Sequence, residues 1–489
     1  MHFTVNRELS AALHQQIARR LATLIEQGAL LPGQALLSSR ELARRLGVDR
    51  GTVSRAVLDL EALGYVVQDR GRRTRVRDRA DGGARAAVAT TTTITAPPLL
   101  AWPLHHASVG AGAAVPDMPA TCIDLRRLSP DPDLLPLQAL RQSMARVLGA
   151  SSAQTLLDYA DPRGDPNYLA MLGRHLRRHG IEAEPANLIA TGGAQHAYDL
   201  LCRMLVRPGA TVIVESPGYA SLFALLRLHG AKVLGVPMTA QGMDLDQLQK
   251  ALQRPGVAAV CSMPSFHNPS GLCTGVAHRR RLLELCGARG VPLIEDGFFE
   301  DMSYFGRAVP PIKSMDSAHQ VIYVGTFSKV LWPGLRLGWI VAHTALIDAL
   351  AGLRQVSELG AAHWGQAALA DMAERGDVSR YLRRAQREYR QRMVCLLRQC
   401  RLHLSGTGAR WSTPHGGFIV WVQTKLPASA EPELMARLER AGVSVQAGTP
   451  CHTEPPLAAC FRLSIARSGV GAIEVALPRI AQVLTGDFT

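Results

Sequence analysis

A segment rich in alanine, glycine, threonine and proline, residues 79–120, separates two parts of the chain that differ in composition. It contains four consecutive threonines and a Pro-Pro pair, and a segment of this kind buries too little apolar surface to fold on its own. We therefore expect it to be a linker between two separately folded domains, residues 1–78 and 121–489. A chain of 489 residues is long enough for this division.

Residues 1–78 contain patterns of helical type at residues 9–25, 40–46 and 50–63. Ser38 or Ser39 can cap the second helix and Asp49 the third, and a glycine follows each helix. Two short helices joined by a turn that contains glycine form a helix-turn-helix. Strand-like residues on both sides of an arginine-rich turn then predict a β-hairpin, or wing.

Positive charge is concentrated in this N-terminal part. The whole chain carries a formal net charge of +14, and residues 1–79 alone hold fourteen arginines against eight acidic residues. An anionic partner is therefore expected, nucleic acid first. The side chains that we expect to contact DNA are Ser39, Arg40, Arg50, Thr52, Ser54, Arg55, Arg72 and Arg73. A basic docking module that does not bind DNA is the alternative.

Four stretches of this region, residues 16–21, 32–33, 39–48 and 50–53, resemble the GntR winged-helix family. The resemblance implies a winged helix-turn-helix domain that binds a double-stranded DNA operator. Two residues depart from the family pattern. Leu37 stands where the family usually has proline, and Arg73, where the wing usually has glycine, adds charge to the wing.

From residue 121 onward, apolar runs of strand length alternate with amphipathic stretches of helix length, which predicts an α/β fold with a largely parallel sheet. Lys329 closely follows the strand-like run 321–324. A lysine on a loop at the end of a strand can form a Schiff base with an aldehyde cofactor. Thr326, Ser328 and Arg336 can hold a phosphate beside it. Taken alone, the lysine could equally lie on the surface.

Further residues at strand ends and turns fit the cofactor pyridoxal 5'-phosphate (PLP). Asp296 can keep a pyridine nitrogen protonated, and Asn268 can donate a hydrogen bond to the ring 3-oxygen. Tyr219 can stack on the ring. Ala194 and Gln195 begin a predicted helix whose amino end favours a phosphate. Each residue also has a purely structural alternative, such as a helix cap, a turn or core packing.

Arg462, in a strand-like run, can bind the carboxylate of an amino-acid effector through its planar guanidinium. Together and in this order, these residues resemble the fold-type I aminotransferases over residues 121–489. The resemblance implies PLP as cofactor and a homodimer, because Tyr159 matches the tyrosine that reaches the phosphate of the neighbouring subunit. A GntR-like domain joined to an aminotransferase-like domain resembles the MocR family of bacterial transcription regulators.

One departure concerns the ring 3-oxygen of the cofactor. The aminotransferase pattern has a tyrosine two or three residues after the aspartate, and here those positions are Phe298 and Phe299. Without that hydroxyl the oxygen is less stabilised, so we expect binding to be favoured over efficient turnover.

The nine cysteines include no C-x-x-C pair, which argues against a zinc finger and a disulfide scaffold. We therefore predict no metal site and a location in the reducing cytoplasm. No apolar run reaches about 20 residues, so no membrane span is expected. The first residues also lack the apolar region of a signal peptide.

Three functions remain open at this point. The first is a PLP-dependent transcription regulator that binds DNA through residues 1–78 and senses a small amino compound. The second is a catalytically active aminotransferase that carries an accessory DNA-binding domain. The third is a sensor in which PLP itself is the effector.

Overall fold

A computed structural model describes residues 5, 12–67, 73–77, 122–150, 153–156 and 158–486. The chain divides into two compact units, Met1–His105 and His106–Thr489. The predicted linker, 79–120, lies outside the described residues, so its boundaries stay a prediction. No helix among the described residues is long and apolar enough to cross a lipid bilayer.

The N-terminal unit has the predicted order of three helices followed by a hairpin. Its elements are α1 (Leu13–Glu26), α2 (Ser39–Leu46), α3 (Arg50–Ala62), β1 (Val66–Val67) and β2 (Arg75–Val76). The two strands pair antiparallel, with Val66 opposite Val76. The winged helix-turn-helix is therefore confirmed, although the tip of the wing lies outside the described residues.

Local capping explains why α2 and α3 begin where they do. The Ser38 hydroxyl accepts a hydrogen bond from the backbone N–H of Glu41 at 3.2 Å, so α2 starts one residue earlier than predicted. Gly47 ends α2 at a φ of +64°, a conformation that favours glycine. The Asp49 carboxylate then accepts from the N–H of Gly51 at 2.6 Å and caps α3. Leu37 packs against the small core of this unit.

The C-terminal unit contains eleven helices among its described residues. These are α4 (Leu137–Gly149), α5 (Pro166–Arg177), α6 (Ala194–Leu205), α7 (Ala220–Leu228), α8 (Leu245–Ala251), α9 (Val276–Gly287), α10 (Thr344–Ser357), α11 (His363–Glu374), α12 (Asp377–Gln399), α13 (Glu431–Arg440) and α14 (Val470–Thr485). The strands are β3 (Ile123–Asp124), β4 (Leu188–Thr191), β5 (Thr211–Ser216), β6 (Lys232–Thr239), β7 (Gly242–Met243), β8 (Val257–Ser262), β9 (Leu293–Asp296), β10 (Val321–Thr326), β11 (Gly338–Val341), β12 (Arg410–Trp411), β13 (Ile419–Pro427), β14 (Val443–Ser444), β15 (Gln446–Ala447) and β16 (Ala458–Ser464).

Eight strands form the central sheet in the order β4-β11-β10-β9-β8-β5-β6-β7. Strands β6, β5, β8, β9 and β10 run parallel, whereas β11 is antiparallel to both of its neighbours. The predicted α/β fold with a largely parallel sheet is thus confirmed. Because parallel strands end at the same edge, the residues that follow β5, β8, β9 and β10 meet there.

Apolar side chains cover both faces of this sheet. Along β10, Ile322 and Val324 pack in the cluster that includes α6, α7 and α10. Tyr323 points the other way and packs with α5, α11 and α12. Strand β10 is consequently buried along its whole length, as expected for a central strand of a doubly wound sheet.

A smaller antiparallel sheet has the order β12-β13-β16-β15. Its strand β16 carries Arg462, which pairs in register with Trp421 of β13. Strand β3 pairs in parallel with β14, so the first described segment of this unit lies against its C-terminal part.

Candidate functional site

A cavity of about 840 Å³ opens at the carboxyl edge of the central sheet. Asp296 ends β9 and Lys329 lies three residues beyond the end of β10, and both line the cavity. Asn268, Tyr219 and Arg462 line it as well. The structure therefore brings together five predicted residues that are separated by up to 243 positions in the sequence.

Asp296 is a buried carboxylate with two hydrogen-bond donors. The hydroxyl of Tyr198 donates to Oδ2 at 2.8 Å, and the backbone N–H of Phe298 donates to Oδ1 at 3.1 Å. Burial raises the pKa of Asp296 to about 7, against the lowering effect of these two donors. A buried carboxylate of this kind is stabilised by a cationic partner, and a protonated pyridine nitrogen is one.

Lys329 is a buried amine in a positive environment. Burial, together with the charges of Arg462 and Arg336, lowers the pKa of Lys329 to about 8. A larger fraction of the amine is therefore neutral near pH 7 than in an exposed lysine, and a neutral amine is the nucleophile that an aldehyde requires.

Glycines and Arg336 form the predicted phosphate side of the site. Gly193 caps α6 at a φ of +91°, and the Arg336 guanidinium lies against it, so that a Cβ at Gly193 would come within 3.2 Å of that group. The guanidinium of Arg336 donates to the carbonyl of Gly192. Ala194, the first residue of α6, lines the cavity. A helix amino end beside a guanidinium is favourable for a phosphate.

The two predicted hydroxyls next to Lys329 differ in position. Thr326 lines the cavity, and its hydroxyl donates to the carbonyl of Leu337 at 3.1 Å. Ser328 is buried, does not line the cavity, and donates its backbone N–H to the Thr326 hydroxyl at 3.1 Å. Ser328 therefore fixes the loop that carries Lys329.

Tyr219 precedes α7 and presents its ring to the cavity. Its hydroxyl donates to the side-chain oxygen of Gln195 at 3.2 Å, and burial raises the pKa of Tyr219. Gln195 does not line the cavity and instead orients this tyrosine.

Arg462 is 8% exposed and its guanidinium is held on two sides. Nη1 donates to the side-chain oxygen of Asn268 and Nη2 to the backbone carbonyl of Arg126, each at 2.9 Å. Nε is buried without a hydrogen-bond partner among the described residues. Burial lowers the pKa of Arg462 to about 10, which leaves the group cationic at neutral pH. It is therefore a fixed positive charge on the cavity wall.

The two phenylalanines after Asp296 have different surroundings. Phe298 lines the cavity, whereas Phe299 is fully buried and packs on Phe298 and Phe418, with ring centroids 4.1 and 4.8 Å away. Phe298 therefore occupies the position from which a phenol could reach the site. Tyr159 is 81% exposed and does not line the cavity of its own chain.

Sequence reasoning missed several residues that shape this site. Tyr198 lies one helical turn after Ala194, on the side of α6 that faces β9, but an isolated tyrosine in a helix gives no signal of this role. Glu215, at the end of β5, accepts from Ser262 at 2.6 Å and lies 3.3 Å from His267. This buried pair supports the turn that presents Asn268.

In the N-terminal unit, the predicted DNA-contacting residues that are described lie on α2, on α3 and at the wing. Arg40, Arg50, Arg55 and Arg73 are exposed, and Ser39, Thr52 and Ser54 are half-buried. The outward face of α3 carries Arg50 and Arg55, and neither forms an ion pair with a residue that the structure describes. Arg72 lies outside the described residues.

Comparison with known proteins agrees with both units. Residues 13–76 match the family of bacterial regulatory proteins named after gntR, and residues 128–480 match the class I and II aminotransferases. Together with the fold and the site, these matches define a winged-helix DNA-binding domain fused to an aminotransferase domain.

Full-length relatives share this fusion. The chain is 31% identical over 412 residues to the probable rhizopine catabolism regulatory protein MocR of Rhizobium meliloti, covering 82% of this chain and 80% of that protein. It is 30% identical over 492 residues to the HTH-type transcriptional regulator TauR of Rhodobacter capsulatus, covering 97% and 96%. The chain belongs to the MocR family of transcription regulators.

Solved aminotransferases resemble the C-terminal unit. The α-aminoadipate aminotransferase LysN of Thermus thermophilus, solved with N-(5'-phosphopyridoxyl)-L-leucine, superposes with a TM-score of 0.69 at 27% identity, covering 75% of this chain and 92% of that one. A multiple-substrate aminotransferase of Thermococcus profundus gives a TM-score of 0.70 with the same identity and coverage. The aminotransferase fold predicted from the sequence is confirmed.

Proposed function

We propose that this regulator holds PLP at Lys329 and changes its binding to a DNA operator when an amino compound enters the cavity. The observation that carries the proposal is the convergence of Lys329, Asp296 and Arg462 on one cavity in a chain that also has a winged helix-turn-helix. We further propose that it acts in the cytoplasm, because its operator would lie there.

The side chains of the cavity fit PLP. When bound, this cofactor supplies an aldehyde carbon and an electron-withdrawing pyridinium ring. Lys329 would bind the aldehyde carbon, Asp296 would hold the ring proton, and Tyr219 would stack on the ring. Gly193, Ala194 and Arg336 would hold the phosphate.

Arg462 and Asn268 would determine which amino compounds bind. The guanidinium is rigidly held, positively charged and buried, so an effector with a carboxylate or a similar planar anion pairs with it favourably. When it is not bonded to the cofactor, Nζ of Lys329 would be free to accept a proton. The effector would thus be an amine that also carries an acidic group.

Regulation is favoured over catalysis by the comparisons with MocR and TauR and by Phe298. A phenylalanine cannot donate a hydrogen bond to the ring 3-oxygen, so the residues retained serve binding more than turnover. A homodimer remains part of the proposal. The exposure of Tyr159 is consistent with a role at the site of a neighbouring subunit.

The experiment is operator binding by the full chain without PLP, with PLP, and with PLP plus a panel of amino acids and amines. We expect operator affinity to change only when both PLP and an amine that carries an acidic group are present. Lys329→Ala should abolish this change. Response to PLP alone would favour the PLP-sensor alternative. Rapid multiple-turnover transamination would favour the enzyme.

A further inference from the structure

Two histidines and an aspartate converge at a place that no step of the proposed function uses. His175 lies on α5, His179 follows one turn later, and Asp301 lies on the loop that leaves β9. Nε2 of His179 is 3.2 Å from Asp301 Oδ1, and Nε2 of His175 is 3.5 Å from Oδ2. One ligand atom from each residue lies within 4.8 Å of the other two.

One ligand atom from each of the three side chains lies close enough to the other two for all three to hold a single metal ion. Zn²⁺ binds imidazole nitrogen and carboxylate oxygen at about 2.0–2.1 Å, which places neighbouring ligand atoms about 3.3 Å apart. Each imidazole faces a different oxygen of Asp301, at 3.2 and 3.5 Å, so both carboxylate oxygens point toward the space between the histidines. Two imidazoles and one carboxylate are also a ligand set that Zn²⁺ and Co²⁺ accept. We propose, against the expectation drawn from the cysteine pattern, that His175, His179 and Asp301 bind a divalent transition-metal ion, Zn²⁺ first.

The surroundings provide room and charge for such an ion. His175 lines a separate cavity of about 320 Å³, so open space reaches one of the three side chains. Glu300, the residue before Asp301, has a buried Oε1 without a hydrogen-bond partner among the described residues. Arg178 opposes a metal cation, but it is exposed, so solvent screens its charge.

The location connects this site to the cofactor cavity. The ring of His175 meets Phe327 edge-on, with centroids 5.5 Å apart, and Phe327 lies in the loop that carries Lys329. Asp301 is five residues after Asp296. A bound ion would therefore link α5 to both loops that position the cofactor-binding residues.

The test uses the full chain, freed of metal with a chelator and titrated with Co²⁺ and with Zn²⁺. We expect one ion per chain, Co²⁺ d–d absorption typical of tetrahedral nitrogen and oxygen ligands, and a rise in Tm on adding Zn²⁺. His179→Gln should weaken binding at least about tenfold, since it removes a ligand. His229→Gln is the matched control: His229 pairs with Asp199 at 2.8 Å, is similarly exposed, and belongs to no such triad among the residues that the structure describes.

Three results would overturn the proposal. The first is the absence of saturable metal binding, and the second is a metal affinity of His179→Gln equal to that of the parent protein. The third is an intense thiolate-to-Co²⁺ charge-transfer band, which would assign the ion to cysteine. In the first case the two imidazoles simply pair with Asp301. If circular dichroism shows that His179→Gln is unfolded, Asp301→Asn tests the same expectation with a side chain of equal size.

Discussion

Tyr198→Phe tests whether Asp296 is tuned to hold the cofactor. The substitution removes one oxygen from a buried tyrosine that is 1% exposed and donates to Asp296 at 2.8 Å. A hydrogen bond to a charged group contributes about 1.5–3 kcal/mol, which would raise the pKa of Asp296 by about one to two. Because the pKa of Asp296 is already about 7, the carboxyl of the variant should be mostly protonated at pH 7.

In the proposed site, Asp296 pairs with the protonated ring nitrogen as a carboxylate, so the variant must first lose a proton. The resulting loss of PLP affinity should be roughly five- to fiftyfold at pH 7, should shrink steadily as the pH rises above 7, and should be about twofold or less at pH 9. Other groups that titrate, such as Lys329, affect both proteins alike, so the ratio of the two dissociation constants isolates Asp296. Titration of PLP absorbance at several pH values measures this ratio.

Tyr168→Phe is the matched control. Tyr168 is equally buried, but its hydroxyl has no hydrogen-bond partner in the described part of the chain. Removing it should leave PLP affinity unchanged. An unchanged affinity in Tyr198→Phe, or a loss that does not depend on pH, would refute the link between this hydroxyl and the ionisation of Asp296.

Three further substitutions test other parts of the proposal. Arg55→Ala should weaken operator binding and lower the slope of log affinity against log salt concentration by about one. Arg20→Ala removes an equal charge from the exposed surface of α1 and should change neither quantity. Gel shifts at several salt concentrations measure both. Arg462→Lys should abolish the response to carboxylated amines, because ammonium cannot replace the planar guanidinium. It should keep PLP on Lys329, which borohydride reduction and peptide mapping would show. A normal response in this variant would instead favour PLP itself as the effector. Phe298→Tyr should lower the pH at which the absorbance of the PLP-bound protein titrates. Phe299→Tyr should lower only the free energy of unfolding, by about 1–3 kcal/mol, because its hydroxyl would be buried without a partner. Equal spectra for the two variants would contradict the structure.

The sequence was sufficient to predict both folds because strand ends, caps and glycines act locally. Lys329 and Asp296 are identifiable from the sequence because a charged residue at or shortly after the end of an apolar strand of a parallel sheet reaches the carboxyl edge. The sequence alone places the start of α2 one residue late, because either Ser38 or Ser39 can act as the cap and only the backbone geometry decides between them. Antiparallel β11 was not foreseen, since strand direction depends on pairing and not on composition.

Residues that position other side chains of the site are harder to predict from the sequence. Tyr198 and Gln195 lie on α6, and their roles depend on partners 98 and 24 positions away in the chain. The triad of His175, His179 and Asp301 has the same character, because helical spacing brings the two histidines together but nothing in the sequence joins them to Asp301. Long-range packing, rather than local pattern, creates these contacts.

The cavity keeps the side chains proposed to bind PLP and its effector but has Phe298 where a hydroxyl donor would stand. This difference bears on whether the site serves regulation or catalysis. A regulator needs its ligand to bind two states of the protein with different affinity, and the binding roles that we propose for Lys329, Asp296 and Arg462 would suffice for that. An enzyme must in addition stabilise a transition state more than the bound substrate, and a second donor at the ring oxygen, beside Asn268, would serve that purpose. Phe298 removes that donor without disturbing Asp296, whose bond to the backbone N–H of residue 298 does not depend on the side chain. The site can therefore lose catalytic efficiency and keep its affinity for ligand, which is the combination that ligand-controlled DNA binding requires.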